Sequence, residues 1–260
     1  MKKGKGKIVT VTSTKGGVGK TITTLNLAGC YHKLGLKTLV IDLDLFGGAI
    51  GTYLNSTNDK TIFNLVLDLA YNRYESLDNY LYQYNSNIYI ISAPKDPRSA
   101  SKIDAKYIPI ILNNAVYRFD VVLIDTTHLL DEVNVTALDN SDSILYILTN
   151  DMFDLKNTKS FISIMKDVGF KNYYTLLNES INPGRSYFSM YDIRSIIKNN
   201  IDFTVSKSMY IKNIDKYIMD GEILILNNKL SFRDKKDLNK YIEISKKLIE
   251  EKGDKKWEKH

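Results

Sequence analysis

At 260 residues the chain is long enough for one α/β domain with a full core, and nothing in it demands two. Hydrophobic residues make up 43% and charged residues 25%, the balance of an ordinary water-soluble globular protein, and no apolar run approaches the ~20 residues of a membrane-spanning helix. A net charge of +6 admits an anionic partner (DNA, anionic lipid or an acidic protein) without choosing one.

The basic start, Met1 to Lys7, runs straight into an apolar stretch with no h-region, so it does not read as a signal peptide. Short β-branched runs then recur: Ile8–Val11, Thr38–Ile41, Ile88–Ile91, Val121–Ile124, Ile144–Leu148 and Tyr173–Leu177. Their hydrophobicity is continuous, as expected of strands buried on both faces of a parallel sheet. Helical spacing lies between and after them, near 21–34, 61–71, 131–140, 154–168, 190–199, 211–220 and 235–251. This alternation predicts a doubly wound, mostly parallel α/β fold with ligands at the carboxyl ends of the strands. The expectation is one domain over 1–260, with the last eight or so residues a polar tail. Cys30, the single cysteine, has no internal disulfide partner and reads as a buried small hydrophobe, which fits a reducing cytoplasm.

Between the first run and the first helix stands Thr14-Lys15-Gly16-Gly17-Val18-Gly19-Lys20-Thr21. Strand, Gly-rich loop and helix in that order form a phosphate-binding unit. The glycines let backbone N–H groups turn inward, and the helix N-terminus adds its positive dipole end. Lys20 is placed to reach the β- and γ-phosphates, and the Thr21 hydroxyl to hold Mg²⁺. The residues assigned to the nucleotide are Lys15, Gly16, Gly17, Val18, Gly19, Lys20, Thr21 and Ile22. Thr14 occupies the position where the common phosphate-loop pattern has its first glycine, and a second lysine, Lys15, follows it.

That deviant loop resembles the ParA/MinD family of P-loop ATPases, in which the extra lysine is the family mark. The resemblance implies ATP and Mg²⁺ as cofactors and ATP hydrolysis as the activity. It also implies that Lys15 reaches across an ATP-dependent homodimer to the partner's nucleotide. After the second strand, Asp42-Leu43-Asp44 places two carboxylates at a strand end, where turn-forming Asp is the commoner explanation. In the family the second orients or deprotonates the attacking water, a role that falls on Asp44, with Asp42 behind it near Mg²⁺. Phe119-Asp120-Val121-Val122-Leu123-Ile124-Asp125 reads as a Walker B strand, with Asp125 near Mg²⁺. The metal set is therefore Thr21, Asp44 and Asp125, partly through water. Asn178, at the end of the sixth run, corresponds to the family's adenine-binding asparagine and equally to a simple strand–loop cap. The family's proline-containing base loop falls at Thr204 to Ser208, which has neither the proline nor the aspartate.

Ile91-Ser92-Ala93-Pro94-Lys95-Asp96-Pro97 and Leu129-Leu130-Asp131 are similar to the TadZ/CpaE localisation proteins of pilus machines. Partners implied are pilus or secretion-system proteins, with recruitment to a cell pole or the membrane periphery. A DNA-partition ATPase stays open through Arg185, Arg194, Lys198, Lys207, Lys212 and Lys216, which solvated faces explain equally well. A MinD-like membrane helix would use Leu238, Tyr241, Ile242, Ser245, Leu248 and Ile249, but that stripe reads as core, with Trp257 the one apolar residue of the tail. No Tyr follows Tyr241, so a tyrosine-kinase tail is not indicated. His32, His128 and His260 have no metal-ligand spacing with Cys30.

Overall fold

A computed structural model describes residues 4–181, 183–184, 187–211, 214–228 and 235–250. Arg185, Lys212, the side chain of Leu238, Trp257 and the tail lie outside the described residues. The strands are β1 (Lys7–Thr12), β2 (Thr38–Leu43), β3 (Tyr82–Gln83), β4 (Ile88–Ile91), β5 (Val121–Thr126), β6 (Ser143–Leu148), β7 (Tyr173–Asn178) and β8 (Phe203–Val205). They form one sheet in the order β3-β4-β2-β5-β1-β6-β7-β8, parallel throughout except that β3 runs antiparallel to β4. The helices are α1 (Lys20–Lys33), α2 (Ile50–Tyr53), α3 (Ile62–Ala70), α4 (Ile108–Ala115), α5 (Glu132–Asp139), α6 (Met152–Asp167), α7 (Met190–Ile197), α8 (Ile214–Met219) and α9 (Lys235–Ile249).

The strands are continuously apolar because both sheet faces are covered. Val9, Val11, Val40, Leu123, Leu145 and Ile147 pack under α1 and α9. The alternate residues of the same strands face the other way. Ile8, Leu39, Ile41, Val122 and Ile124 meet α3, α4 and α5, while Ile144, Tyr146 and Leu148 meet α6 and α7. Helix α1 is itself buried on nearly all sides, which explains its Thr, Ala and Gly content. A Cβ on Gly29 would stand 2.4 Å from Ile225 Cγ2.

The C-terminal helix is core. Tyr241, Ile244, Ser245 and Leu248 are buried, and Tyr31 donates from its hydroxyl to the Ser245 carbonyl over 2.9 Å. The buried face includes Ile244, whereas Ile242 of the predicted stripe is only partly covered. Cys30 is fully buried as expected. Helix α4 has no counterpart in the sequence reading; its Pro109 stands in the first turn, where the missing N–H costs nothing. The four-residue α2 and two-residue β3 are too short to show a period.

Candidate functional site

The loop 13–19 leaves β1 at the middle of the sheet, where the connections diverge to either side. Gly17 and Gly19 have φ of +72° and +93°, the left-handed region where glycine carries no Cβ penalty. Gly19 is the N-cap of α1, with no side chain capping the helix and no acidic residue in its first turn. The first amides of α1 are thus left for an anion, which is what a phosphate-binding helix start requires.

Around this start the predicted residues converge. Lys20 is buried and donates from Nζ to Ser13 Oγ at 3.0 Å, while Ser13 in turn donates to the Lys15 carbonyl. Burial holds the Lys20 ammonium below its ordinary pKa, an effect opposed by the carboxylates of Asp125 and Asp44. Thr21 Oγ1 donates to Asp125 Oδ2 at 2.7 Å, and Thr24 Oγ1 donates to Asp125 Oδ1 at 3.2 Å. Strand register explains the rest: β2 and β5 pair in parallel with Asp42 directly beside Asp125. Burial pushes Asp125 up to about 6, against the pull of the Thr21 hydroxyl and Lys20. Asp42 is raised well above the carboxylate range by burial and by Asp125.

Asp42 accepts from the amides of Asp44 and Ile50, so its carboxylate holds the chain leaving β2 in a tight return. Gly48 makes that return possible, since a Cβ there would lie 2.2 Å from Ala93 Cβ and 2.8 Å from Asp42 Oδ2. The segment containing Ser92 and Ala93 therefore buttresses the Asp44 loop. Asp44 itself is half-buried, accepts from the Gly47 amide at 3.3 Å, and faces a cavity of about 260 Å³ with Gly16, Gly17, Lys20 and Thr21. Tyr53, His128 and Ile181 also line that cavity, and the sequence reading assigns none of them to the site.

A second cavity, of about 170 Å³, adjoins the first through Gly19, Ile22 and Ile181. Its walls are mainly apolar, from Ile22, Val205, Met209, Ile211, Ile214 and Leu224, with Asn26, Asn178 and Ser180 among the polar residues. It has the size and character for an aromatic base. The Asn178 amide, however, donates to the Val18 carbonyl at 2.9 Å and accepts from Ser180, so Asn178 clamps the phosphate loop. Of the predicted base loop, Val205 lines the cavity, and Met209, Tyr210 and Ile211 beyond it extend the wall.

Lys15 stands apart from Lys20. Its ammonium is 3.3 Å from Asp151 Oδ1, at the N-cap of α6, and its side chain is 41% exposed. Sequence alone could not pair residues 136 positions apart, although a capping Asp just beyond the carboxyl end of β6 was the available clue.

The donor set suits Mg²⁺·nucleotide: a hydroxyl and carboxylates of hard oxygen beside an uncapped helix start. Among the described residues no three His, Cys, Asp or Glu side chains are grouped to hold a metal by themselves. That is expected of Mg²⁺, which takes one or two carboxylates and completes its shell with phosphate and water. No helix among the described residues is long and apolar enough to cross a membrane.

A family model described as an AAA domain, AAA_31, matches residues 6–183. An uncharacterised ATP-binding protein of Methanocaldococcus jannaschii is 31% identical over 150 residues, 57% of this chain and 55% of that one. The sporulation initiation inhibitor protein Soj of Bacillus subtilis is 24% identical over 172 residues, 62% of this chain and 65% of that one. The chain thus spans between about half and two thirds of the length of these two curated relatives. In fold it matches the septum site-determining protein MinD of Pyrococcus horikoshii, solved with Mg-ADP. That match has a TM-score of 0.75 over 93% of this chain and 95% of that one, at 19% identity. By its phosphate loop, its sheet and these matches, the chain belongs to the AAA_31 family of AAA domains and is a homologue of ParA, Soj and MinD proteins.

Proposed function

We propose that this chain is a Mg²⁺-dependent ATPase acting as one domain, and that its ATP-bound form is a homodimer working as a positioning switch. The observation that carries the reading is the convergence of Lys20, Thr21 and Asp44 on one cavity at an uncapped helix start, with the buried Asp125 behind it accepting from Thr21. The loop amides from Gly16 to Ile22 and Lys20 would hold the phosphates, and Thr21, Asp44 and Asp125 would hold the metal, partly through water. Bound Mg²⁺ would neutralise charge shared between the β- and γ-phosphates. Asp44 orients the attacking water and accepts its proton, and Asp42 fixes the Asp44 loop. Asn178 keeps the loop closed at the junction of phosphate and base. Turnover is slow until a partner completes the site, as in other switch-type P-loop proteins.

Dimerisation draws support from two features. Lys15 is on the rim of the site, where among the described residues its ammonium is held by a half-exposed ion pair that a new partner can replace. Phe46, Leu129 and Leu130, on the connections leaving β2 and β5, and Met152 and Phe153, in the first turn of α6 after β6, are exposed large apolar residues beyond the carboxyl ends of these strands. Similarity of segments 91–97 and 129–131 to the TadZ/CpaE proteins favours a localisation factor for a pilus or secretion system. Exposed Arg194, Lys198, Lys207 and Lys216 keep nonspecific DNA as the second reading, for which salt-sensitive retention on DNA is the discriminator.

Light scattering with Mg²⁺·ATP and with Mg²⁺·ADP, for the unmutated protein and Lys15→Ala, tests the switch. A dimer seen only with ATP and lost in the variant is expected. Mass indifferent to nucleotide in both proteins would leave a constitutive scaffold in its place.

A further inference from the structure

The two cavities give the nucleotide site a direction. They meet at Gly19, Ile22 and Ile181, so a nucleotide with its base in the apolar cavity runs its phosphates away from that junction. Gly16, Gly17, Asp44 and His128 are among the residues of the larger cavity that do not line the smaller one, on the side where a terminal phosphate would lie. Three of these four have evident reasons to be there: two glycines offer amides, and Asp44 leaves the strand beside the Asp42–Asp125 pair. His128 is the group the loop chemistry does not use.

His128 stands three residues beyond Asp125, on the connection between β5 and the capping Asp131 of α5. Its ring is exposed, and Nδ1 is 3.8 Å from the place a Cβ on Gly16 would occupy, directly over the phosphate loop. Among the described residues neither ring nitrogen has a hydrogen-bond partner. An imidazole carries at least one N–H in either protonation state, so it can donate to a phosphate oxygen whether charged or neutral. We propose that His128 donates a hydrogen bond to the terminal phosphate of the bound nucleoside triphosphate, which makes it a residue that distinguishes triphosphate from diphosphate. The proposal rests on the ATPase reading above. The diphosphate end remains with Lys20, Thr21 and the α1 amides, none of which involves His128.

The test is calorimetric titration of the unmutated protein, His128→Ala and His128→Gln with Mg²⁺·AMPPNP and with Mg²⁺·ADP. A hydrogen bond to a charged group predicts that His128→Ala loses about ten-fold in AMPPNP affinity while its ADP affinity changes less than about two-fold. His128→Gln, which restores an N–H donor, recovers most of the loss. The ratio of the two affinities removes any general effect of the substitution on folding, and His128→Gln supplies a second variant should the alanine protein be unstable. An AMPPNP-to-ADP ratio equal in all three proteins overturns the proposal and leaves the ATPase reading intact. Failure of the unmutated protein to bind either nucleotide overturns both.

Discussion

The Asp42–Asp125 pair makes the nucleotide-free protein less stable than its packing allows, and Asp125→Asn should relieve that. Asp125 is 1% exposed, lies beside the fully buried Asp42, and is pushed up to about 6 by burial, from an ordinary value of 3.8. A carboxyl raised in this way keeps its stability contribution below the unfolded value and loses it as pH climbs through the folded one. By pH 7.5 the whole of it is lost. Two units at 1.36 kcal/mol each come to about 3 kcal/mol. Asparagine keeps the shape but gives up one of the two acceptors used by Thr21 and Thr24, returning about 1 kcal/mol. The net gain of about 2 kcal/mol corresponds to a melting temperature about 5 °C higher for a chain of this size. Thermal unfolding by circular dichroism without nucleotide, from pH 4.5 to 7.5, should show the variant's advantage grow as pH rises. With Mg²⁺·ATP the order reverses, because the unmutated protein alone gains the binding energy of the metal. A variant that melts lower at pH 7.5, with a difference indifferent to pH, would refute the account of the buried pair.

Two further substitutions probe the loop and the last helix. Gly19→Ala puts a side chain at φ +93° with its Cβ 2.7 Å from Asn178 Nδ2, costing about 1–2 kcal/mol in backbone strain and breaking the clamp on Val18. Nucleotide affinity measured by fluorescence titration should fall at least about ten-fold, and unchanged affinity would show that the clamp does not shape the site. Tyr241→Ala removes a ring that is 3% exposed between α9 and the sheet, at a cost of about 3–5 kcal/mol by urea denaturation. A loss below about 1 kcal/mol would mean that α9 is not part of the core.

How much of this was legible in the chain depends on the range over which the chemistry acts. The phosphate loop reads directly because each position has a local duty: φ above zero at Gly17 and Gly19, an ammonium at Lys20, a hydroxyl at Thr21. The six longer strands read equally well, since burial on both faces leaves mostly apolar, β-branched runs, and two of them, β2 and β5, close on a carboxylate. Helix α4 does not, because Pro109 in a first turn and Pro109 as a breaker are the same letter. The partly covered Ile242 and the buried Ile244 show the same limit, since a helical period gives a face to within about one residue and packing selects within it.

The pairing of β1 with both β5 and β6 decides what the loop can touch, and no local pattern displays it. It brings Tyr146 to Thr14, Asp151 to Lys15 and Asp125 to Thr21, contacts spanning more than a hundred residues. With the β2–β5 register that sets Asp42 beside Asp125, this pairing collects Lys20, Asp42 and Asp125 into one buried site, where burial disfavours the charged form of each. A chain selected for stability alone would place apolar residues at Asp42 and Asp125, between strands otherwise apolar. The concentration of buried charge at one strand end is therefore the physical mark of a site meant to be completed by a ligand. Mg²⁺ would meet Asp125 and Asp44 and phosphate the lysine, so the ligand would add to the partial counter-charge that Lys20 and these carboxylates already give one another.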